Sequence, residues 1–194
     1  MITVVVGTHG VSFPVHESLI CLSSEFFRNA RKPEWSAGKP QVVDLIDEVP
    51  VVFEVYLHWL YFKTLPTVGI YNDHKCPEFE SLARCYVLGE MLIDKKFKNA
   101  IVDALTDILE EMKDEMIIPG SFEINIIYAG TTEGSPGRKL MVDIWATIAG
   151  KTCKTALDEC HPDFVLDLAK EFLELDNTIR PRPWKTSLER YYES

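Results

Sequence analysis

The stretch FPVHESLICLSSEFF, residues 13–27, decides the fold because its hydrophobic period changes in the middle. Up to Val15 it continues a run of β-branched and apolar residues, which predicts a strand. From Glu17 onward, one helical stripe collects Leu19, Leu22, Ser23, Phe26, Phe27 and Ala30. We therefore expect a strand that passes at His16 into an amphipathic helix, which Pro33 ends.

The polar side chains of this stretch admit two interpretations. Either His16 works with a neighbouring serine or cysteine as a catalytic couple, or the small polar groups support a packed helix. Ser-His catalysis needs a serine on an exposed turn and a carboxylate that orients the base, and the sequence shows no such elbow. Ser23 lies on the apolar stripe, where its hydroxyl can bond the carbonyl one turn earlier. A ring nitrogen of His16 can bond backbone groups at the junction, so we favour the architectural interpretation and expect no enzyme.

The residues on either side place this stretch in a small sheet. Ile2–Val6 and Val11–Val15 flank Gly7-Thr8-His9-Gly10, a pattern that predicts a β-hairpin with a glycine turn. Residues 41–45 form a third β-branched run. Because strands come first and helices follow, the sequence predicts an α+β fold, in which a small three-stranded sheet packs against a cluster of helices.

An aromatic-rich run, VVFEVYLHWLYF at residues 51–62, follows an acidic turn and Pro50. Proline fits the first turn of a helix, so a helix is predicted to begin near Pro50. Its core stripe consists of Phe53, Tyr56, Leu57 and Leu60. Its other faces carry Trp59, Tyr61 and Phe62. We expect so much apolar surface to be buried on two sides, or to be partly committed to a partner.

The chain beyond this run is mostly helical after a loop at 63–77. We expect helices at about 78–92 and, after an N-cap at Asp94, on to about 116. Pro119 and Gly120 mark a boundary, and further helices are predicted at about 121–128, 138–149 and 162–173. The chain then divides into a domain at 1–116, a helical extension at 117–176 and a Pro-rich basic tail at 177–194. Because chain ends are usually poorly ordered, we expect a solvated tail, including its cations Arg180, Arg182, Lys185 and Arg190.

Composition and charge exclude several classes of function. The chain is 46% hydrophobic, enough for a core, and its net charge of −10 is unsuited to a nucleic-acid backbone. No apolar run is long enough to cross a bilayer, so we expect no membrane association. The cysteines are odd in number, and the sequence lacks a signal-peptide pattern and an N-glycosylation acceptor. We therefore expect reduced thiols in a cytoplasmic and/or nuclear protein.

The sequence also lacks motifs for cofactors and metals. It contains no Walker-type phosphate loop, and GTTEGSPG at 130–137 carries an acidic residue in its middle. Soft metal ligands occur as two groups without the paired spacing of zinc sites: His74 with Cys76, and Cys153 with Cys160 and His161. We expect no cofactor and no metal ion.

Several segments, in their order along the chain, resemble BTB/POZ domains. FPVHESLICLSSEFFRNA is similar to the family's strand-to-helix junction, an F-x-V-H motif followed by L-x-x-x-S-x-x-F. VVDLIDEVPVVFEVYLHWLYF resembles the next segment, and LARCYVLGEMLID resembles the helix after it. KPEWSAGK and GSPGRKLMVDIW are similar to the fungal branch of the family. The resemblance covers residues 2–116 and implies a BTB/POZ fold, with the later helices as an analogue of the extension in adaptor members.

This resemblance implies a non-catalytic protein–protein interaction module. Members serve as substrate adaptors for cullin-type ubiquitin ligases, as homodimers or as oligomerisation modules of transcription regulators. The family pattern gives an architectural role to Phe13, His16, Leu19, Ser23, Phe26 and Phe27. It places a cullin, or another protein partner, beside the end of the aromatic run, at Tyr61 and Phe62. The loop that follows is longer than the family's usual turn and carries the apolar residues Leu65, Val68, Ile70 and Tyr71, which either fold back over the domain's own helices or form part of this partner-binding surface.

Two departures from the family pattern narrow these alternatives. Many members have a lysine where this chain has Glu17, which argues against the pocket that repressor-type members use. The helix that precedes the first strand in swapped dimers is not found before Ile2. We therefore expect a protein partner, with homodimerisation left open.

Overall fold

The sheet lies in the N-terminal part of the computed structural model, which describes residues 1–32, 42–66, 77–111, 117–148, 154–174 and 182–193. It consists of β1 (Ile2–Val6), β2 (Val11–Val15) and β3 (Val42–Leu45), in the order β2-β1-β3. β1 and β2 are antiparallel, and β3 pairs with β1 in parallel. The sheet packs with helices, so the α+β class is confirmed.

The hairpin between β1 and β2 depends on glycine, as predicted. Gly7 and Gly10 have positive φ angles of 76° and 67°, a region that side-chain-bearing residues adopt only at a cost. Along β1, every second side chain is buried: Ile2, Val4 and Val6. This alternation turns one face of the central strand toward the core.

The single helix expected after His16 is two helices, so that prediction was wrong. α1 (Glu17–Ser23) ends where α2 (Glu25–Ala30) begins, at the buried Ser24. The Ser24 Oγ accepts a hydrogen bond from the Phe27 backbone N at 3.2 Å and donates to the Leu92 carbonyl at 2.6 Å. Serine bonded in this way caps a new helix. The break changes the buried stripe, because Leu22 is 76% exposed whereas Phe27 is fully buried.

The aromatic run forms α3 (Pro50–Phe62), which begins at Pro50 as predicted. Its buried side chains are Val52, Phe53, Val55, Tyr56, Trp59 and Leu60. The Trp59 ring lies 6.1 Å from the ring of Tyr56 and 5.0 Å from that of Phe97, so Trp59 belongs to the core. Of the two expectations for this helix, burial holds for most of its apolar side chains, and the exceptions are Tyr61 and Phe62 at its end.

The other described helices are α4 (Pro77–Met91), α5 (Lys95–Glu111), α6 (Ser121–Gly130), α7 (Pro136–Ile148), α8 (Lys154–Leu157), α9 (Pro162–Glu174) and α10 (Pro183–Thr186), followed by a 3₁₀ turn at Leu188–Tyr191. α4 packs against α3, α5 and α6 and thereby joins the early helices to the later ones. α7 approaches α4 closely, because a Cβ on Gly137 would lie 2.6 Å from the Tyr86 ring. None of the helices described here is long and apolar enough to span a membrane.

The expectation of a solvated tail was wrong for residues 182–193. Trp184 and Tyr191 are buried, and both belong to the same hydrophobic cluster as the β1 residues. Arg182 and Lys185 form ion pairs with Glu110 of α5. Arg180 lies outside the described residues. Terminal segments stay disordered only when nothing holds them, and here two aromatic side chains and several ion pairs do so.

Candidate partner-binding surface

The last turn of α3 exposes two aromatic side chains. Phe62 is 68% exposed and Tyr61 is 41% exposed, whereas Leu65 beyond the helix end is half-buried against the core. The His58 ring lies 4.8 Å from the Phe62 ring, and the His58 Nδ1 donates a hydrogen bond to the Thr64 carbonyl at 3.0 Å. We call the residues His58, Tyr61 and Phe62 the aromatic end.

Tyr61 ties the aromatic end to the strand-to-helix junction. Its hydroxyl oxygen accepts a hydrogen bond from the His16 backbone N at 3.1 Å and lies 2.7 Å from the His16 Nδ1. The Tyr61 hydroxyl therefore bonds both the backbone and the ring of His16. We expected the His16 ring to bond backbone groups, and it bonds this hydroxyl instead. His16, to which the resemblance gives an architectural role, is therefore bonded to Tyr61, a predicted contact residue.

Ser23 also makes a different bond from the one expected. Its Oγ donates to the Asp94 Oδ2 at 2.5 Å, so it joins α1 to the start of α5. The same carboxylate accepts from the Tyr56 hydroxyl at 3.0 Å and from the Phe97 backbone N at 3.0 Å. The bond to Phe97 confirms Asp94 as the N-cap of α5.

The remaining predicted residues fall into three groups. Phe27 is fully buried. Phe13, Leu19 and Phe26 are partly buried and pack against the core. Val68, Ile70 and Tyr71 lie outside the described residues, as do His74, Cys76 and Cys153 of the soft-ligand groups. Of the six predicted contact residues, the structure thus describes Tyr61, Phe62 and Leu65.

The polar residues near His16 have structural partners rather than the arrangement of a nucleophile and its base. Burial, and then the nearby Glu17 carboxylate, raise the pKa of the Cys21 thiol, which disfavours the thiolate that a nucleophile needs. The His16 Nδ1 is hydrogen-bonded to the Tyr61 hydroxyl, and the Ser23 hydroxyl is hydrogen-bonded to Asp94. The exposed side chains of this region include the aromatic rings of Tyr61 and Phe62.

A second apolar surface, on α9, was missed in the sequence. Its outer face exposes Val165, Leu166, Phe172 and Leu173, while Phe164 and Leu168 on the inner face are buried. The sequence did contain a sign of this second apolar face. Leu166 and Leu173 are seven positions apart and lie beside the inner stripe of the helix. A helix that buries only one stripe needs the inner apolar residues but not these outer ones.

Compared with known proteins, the chain matches no family model and no curated protein. The resemblance to BTB/POZ domains therefore rests on the motifs and on their order along the chain.

Proposed function

We propose that this chain is a non-catalytic interaction module of BTB/POZ type that serves as a substrate adaptor for a cullin-type ubiquitin ligase. One observation carries the proposal. α3 buries most of its aromatic side chains but exposes Tyr61 and Phe62 in its last turn, where the family resemblance places the cullin. Aromatic side chains of this kind supply most of the binding energy in many protein interfaces.

The aromatic end is held in place before any partner arrives. The Tyr61 hydroxyl bonds His16, and the Phe62 ring lies against His58, which is itself bonded to Thr64. Side chains that are already ordered lose little conformational entropy on binding, so more of their contact energy contributes to affinity. This preorganisation supports the assignment of the aromatic end as the docking surface.

The wider architecture supports the same proposal. The order of elements, a hairpin and a short parallel strand followed by helices, agrees with the α+β arrangement that the resemblance implies. As an adaptor of this kind, the protein would act in the cytoplasm or the nucleus, where its thiols stay reduced.

The test measures binding of the purified chain to a panel of purified cullins by calorimetry. Phe62→Ala should weaken the interaction at least ten-fold, about 1.4 kcal/mol, and leave the melting temperature nearly unchanged because the ring is mostly exposed. Leu173→Ala is the matched control, since Leu173 is 88% exposed on α9 and should not affect binding. Tyr61→Phe separates the hydroxyl, which bonds His16, from the ring.

The double variant Tyr61→Ala with Phe62→Ala should abolish binding, but it also removes the bonds to His16 and therefore costs stability. Phe62→Ala alone gives the cleaner measurement. Unaltered affinity of Phe62→Ala, or no interaction between the wild-type chain and any cullin, would contradict the adaptor role.

A second candidate function, an oligomerisation module, is favoured by the outer face of α9. Contiguous exposed apolar side chains on a helix mark interaction surfaces in soluble proteins. If this face mediates self-association, light scattering should give about twice the monomer mass for the wild-type chain, and Leu173→Asp should restore the monomer. A monomeric wild-type chain at high concentration contradicts this candidate.

A further inference from the structure

The C-terminal segment, residues 182–193, is held by two buried aromatic side chains, Trp184 and Tyr191. Its two short elements, α10 and the 3₁₀ turn, lie against the long helices α5 and α7. Both anchors lie within a short stretch of sequence, and between them Thr186 and Ser187 are exposed. The segment therefore resembles a bound peptide, with two buried anchors and exposed residues between them.

Three groups of the segment converge on Glu110 of α5 at the Trp184 anchor. The Trp184 Nε1 donates to the Glu110 Oε1 at 3.1 Å, and the Arg182 Nη1 donates to the same oxygen at 3.0 Å. The Lys185 ammonium pairs with the other oxygen, Oε2. Burial alone would raise the pKa of Glu110, but the bonds from Lys185, Arg182 and Trp184 outweigh it and lower that pKa. The carboxylate thus recognises a basic sequence around the tryptophan.

Tyr191 reaches a second carboxylate at the other anchor. Its hydroxyl donates to the Oδ2 of the buried Asp143 of α7 at 2.6 Å. The next residue, Tyr192, bonds Asp103 of α5 through its hydroxyl. Each tyrosine hydroxyl therefore meets an acidic acceptor on the helices below.

The last contacts fix the direction of the segment. The Glu193 backbone N donates to the Asn99 Oδ1 at 2.8 Å, and the Glu193 carboxylate pairs with the Lys98 Nζ at 2.7 Å. From α5, then, Asn99, Asp103 and Glu110 all point at the segment. We call the set Asn99, Asp103, Glu110 and Asp143 the docking cleft.

We propose that the docking cleft is a peptide-binding site, that the C-terminal segment occupies it in cis, and that its ligand in trans is a peptide of a partner protein with the same chemistry. That chemistry is a tryptophan flanked by basic residues, with a tyrosine further along the peptide at the spacing of Trp184 and Tyr191. The contacts select this ligand, since Glu110 pairs with the cations beside the tryptophan, and Asp103 and Asp143 accept from the tyrosine hydroxyls. Aromatic anchors in buried pockets with charged groups at the rim are a common mode of peptide recognition.

Tethering explains how such a site is kept closed. A ligand joined to its site by a short chain has an effective concentration on the order of millimolar, so it excludes free peptides of micromolar affinity. A partner peptide then binds only when the C-terminal segment is weakened or displaced. The cleft shares no residue with the aromatic end, so its test is independent of the cullin proposal.

The test uses the full chain and a fluorescent peptide of residues 182–194, RPWKTSLERYYES, as the probe. Trp184→Ala removes one cis anchor, and this variant should bind the probe at least ten-fold more tightly than the wild-type chain does. Adding Glu110→Lys in the same chain should abolish that binding, because it reverses the charge opposite Arg182 and Lys185. A probe in which alanine replaces the tryptophan is the matched control and should not bind.

A second version of the chain makes the test independent of a substitution in the core. A protease site placed within residues 175–181 of the otherwise wild-type chain allows the segment to be cut after folding. The cut segment should stay bound and then exchange with the probe, at a rate that Glu110→Lys increases. The proposal is overturned if the folded Trp184→Ala chain and the cut chain both fail to bind the probe. It is equally overturned if the tryptophan-free probe binds as well, or if wild-type chains prove to be dimers that fill the cleft of each other.

Discussion

Replacing Asp94 by alanine tests how much of the fold depends on one buried carboxylate. Asp94 is fully buried and accepts hydrogen bonds from the Ser23 hydroxyl, the Tyr56 hydroxyl and the Phe97 backbone N. These donors belong to α1, α3 and α5. The carboxylate therefore joins three helices that are distant from one another in the sequence.

The expected loss follows from the three bonds. Removing an N-cap costs about 1 kcal/mol, and a buried donor left without an acceptor costs about 1–3 kcal/mol. Tyr56 is fully buried, so its hydroxyl has no route to water, whereas Ser23 is only partly buried and contributes the lower figure. Asp94→Ala should thus lower the free energy of unfolding by about 3–5 kcal/mol and the melting temperature by about 6–20 °C.

Urea denaturation followed by circular dichroism measures the loss. Asp94→Asn keeps one acceptor oxygen and should cost about half as much. Tyr56→Phe removes one donor and should be destabilising on its own. In the Asp94→Ala background it should instead recover part of the lost stability, because it removes the buried hydroxyl that was left without an acceptor. A loss below about 1 kcal/mol for Asp94→Ala, or an effect of Tyr56→Phe that is unchanged in that background, would refute the network.

The other predictions concern packing and titration. Phe27→Ala should lower the free energy of unfolding by about 3–5 kcal/mol and Phe26→Ala clearly less, since only Phe27 is fully buried; equal losses in urea denaturation would contradict the helix break. Gly137→Ala should lower the melting temperature, because its Cβ would lie 2.6 Å from the Tyr86 ring; an unchanged value in calorimetry would contradict that contact. The bond with Asp103, and then burial, raise the pKa of Tyr192 to about 12, so the unfolded state loses this proton first and stability falls as pH rises from about 10 to 12. Tyrosinate absorbance with circular dichroism checks this, and Tyr192→Phe should reduce the fall.

Local patterns were enough to predict the parts of the fold that depend on neighbouring residues. Gly7 and Gly10 indicated the hairpin, Pro50 the start of α3 and Asp94 the cap of α5, because each acts through the backbone within a few residues. The break at Ser24 could not be found in this way. It depends on the Leu92 carbonyl, which is distant in the sequence and accepts from the Ser24 hydroxyl.

Part of the candidate site was also predictable from local sequence patterns. The excess of aromatic residues in α3 identified Tyr61 and Phe62 as candidates, and both are exposed. The bond between Tyr61 and His16 could not be inferred, since it spans two elements whose packing only the tertiary structure defines. The docking of Trp184 on Glu110 was missed because a basic tail at a chain end looks solvated when its acidic partners cannot be located.

The parallel pairing of β1 with β3 has a consequence for synthesis on the ribosome. β1 can form its hairpin with β2 once Val15 has emerged from the ribosome, but its other edge stays unpaired until Leu45 emerges. Exposed strand edges promote aggregation of nascent chains, and non-local strand pairing is slow. Between these two moments one edge of the central strand is unpaired, so a chaperone that covers this edge should reduce aggregation of the nascent chain while residues 16–45 emerge.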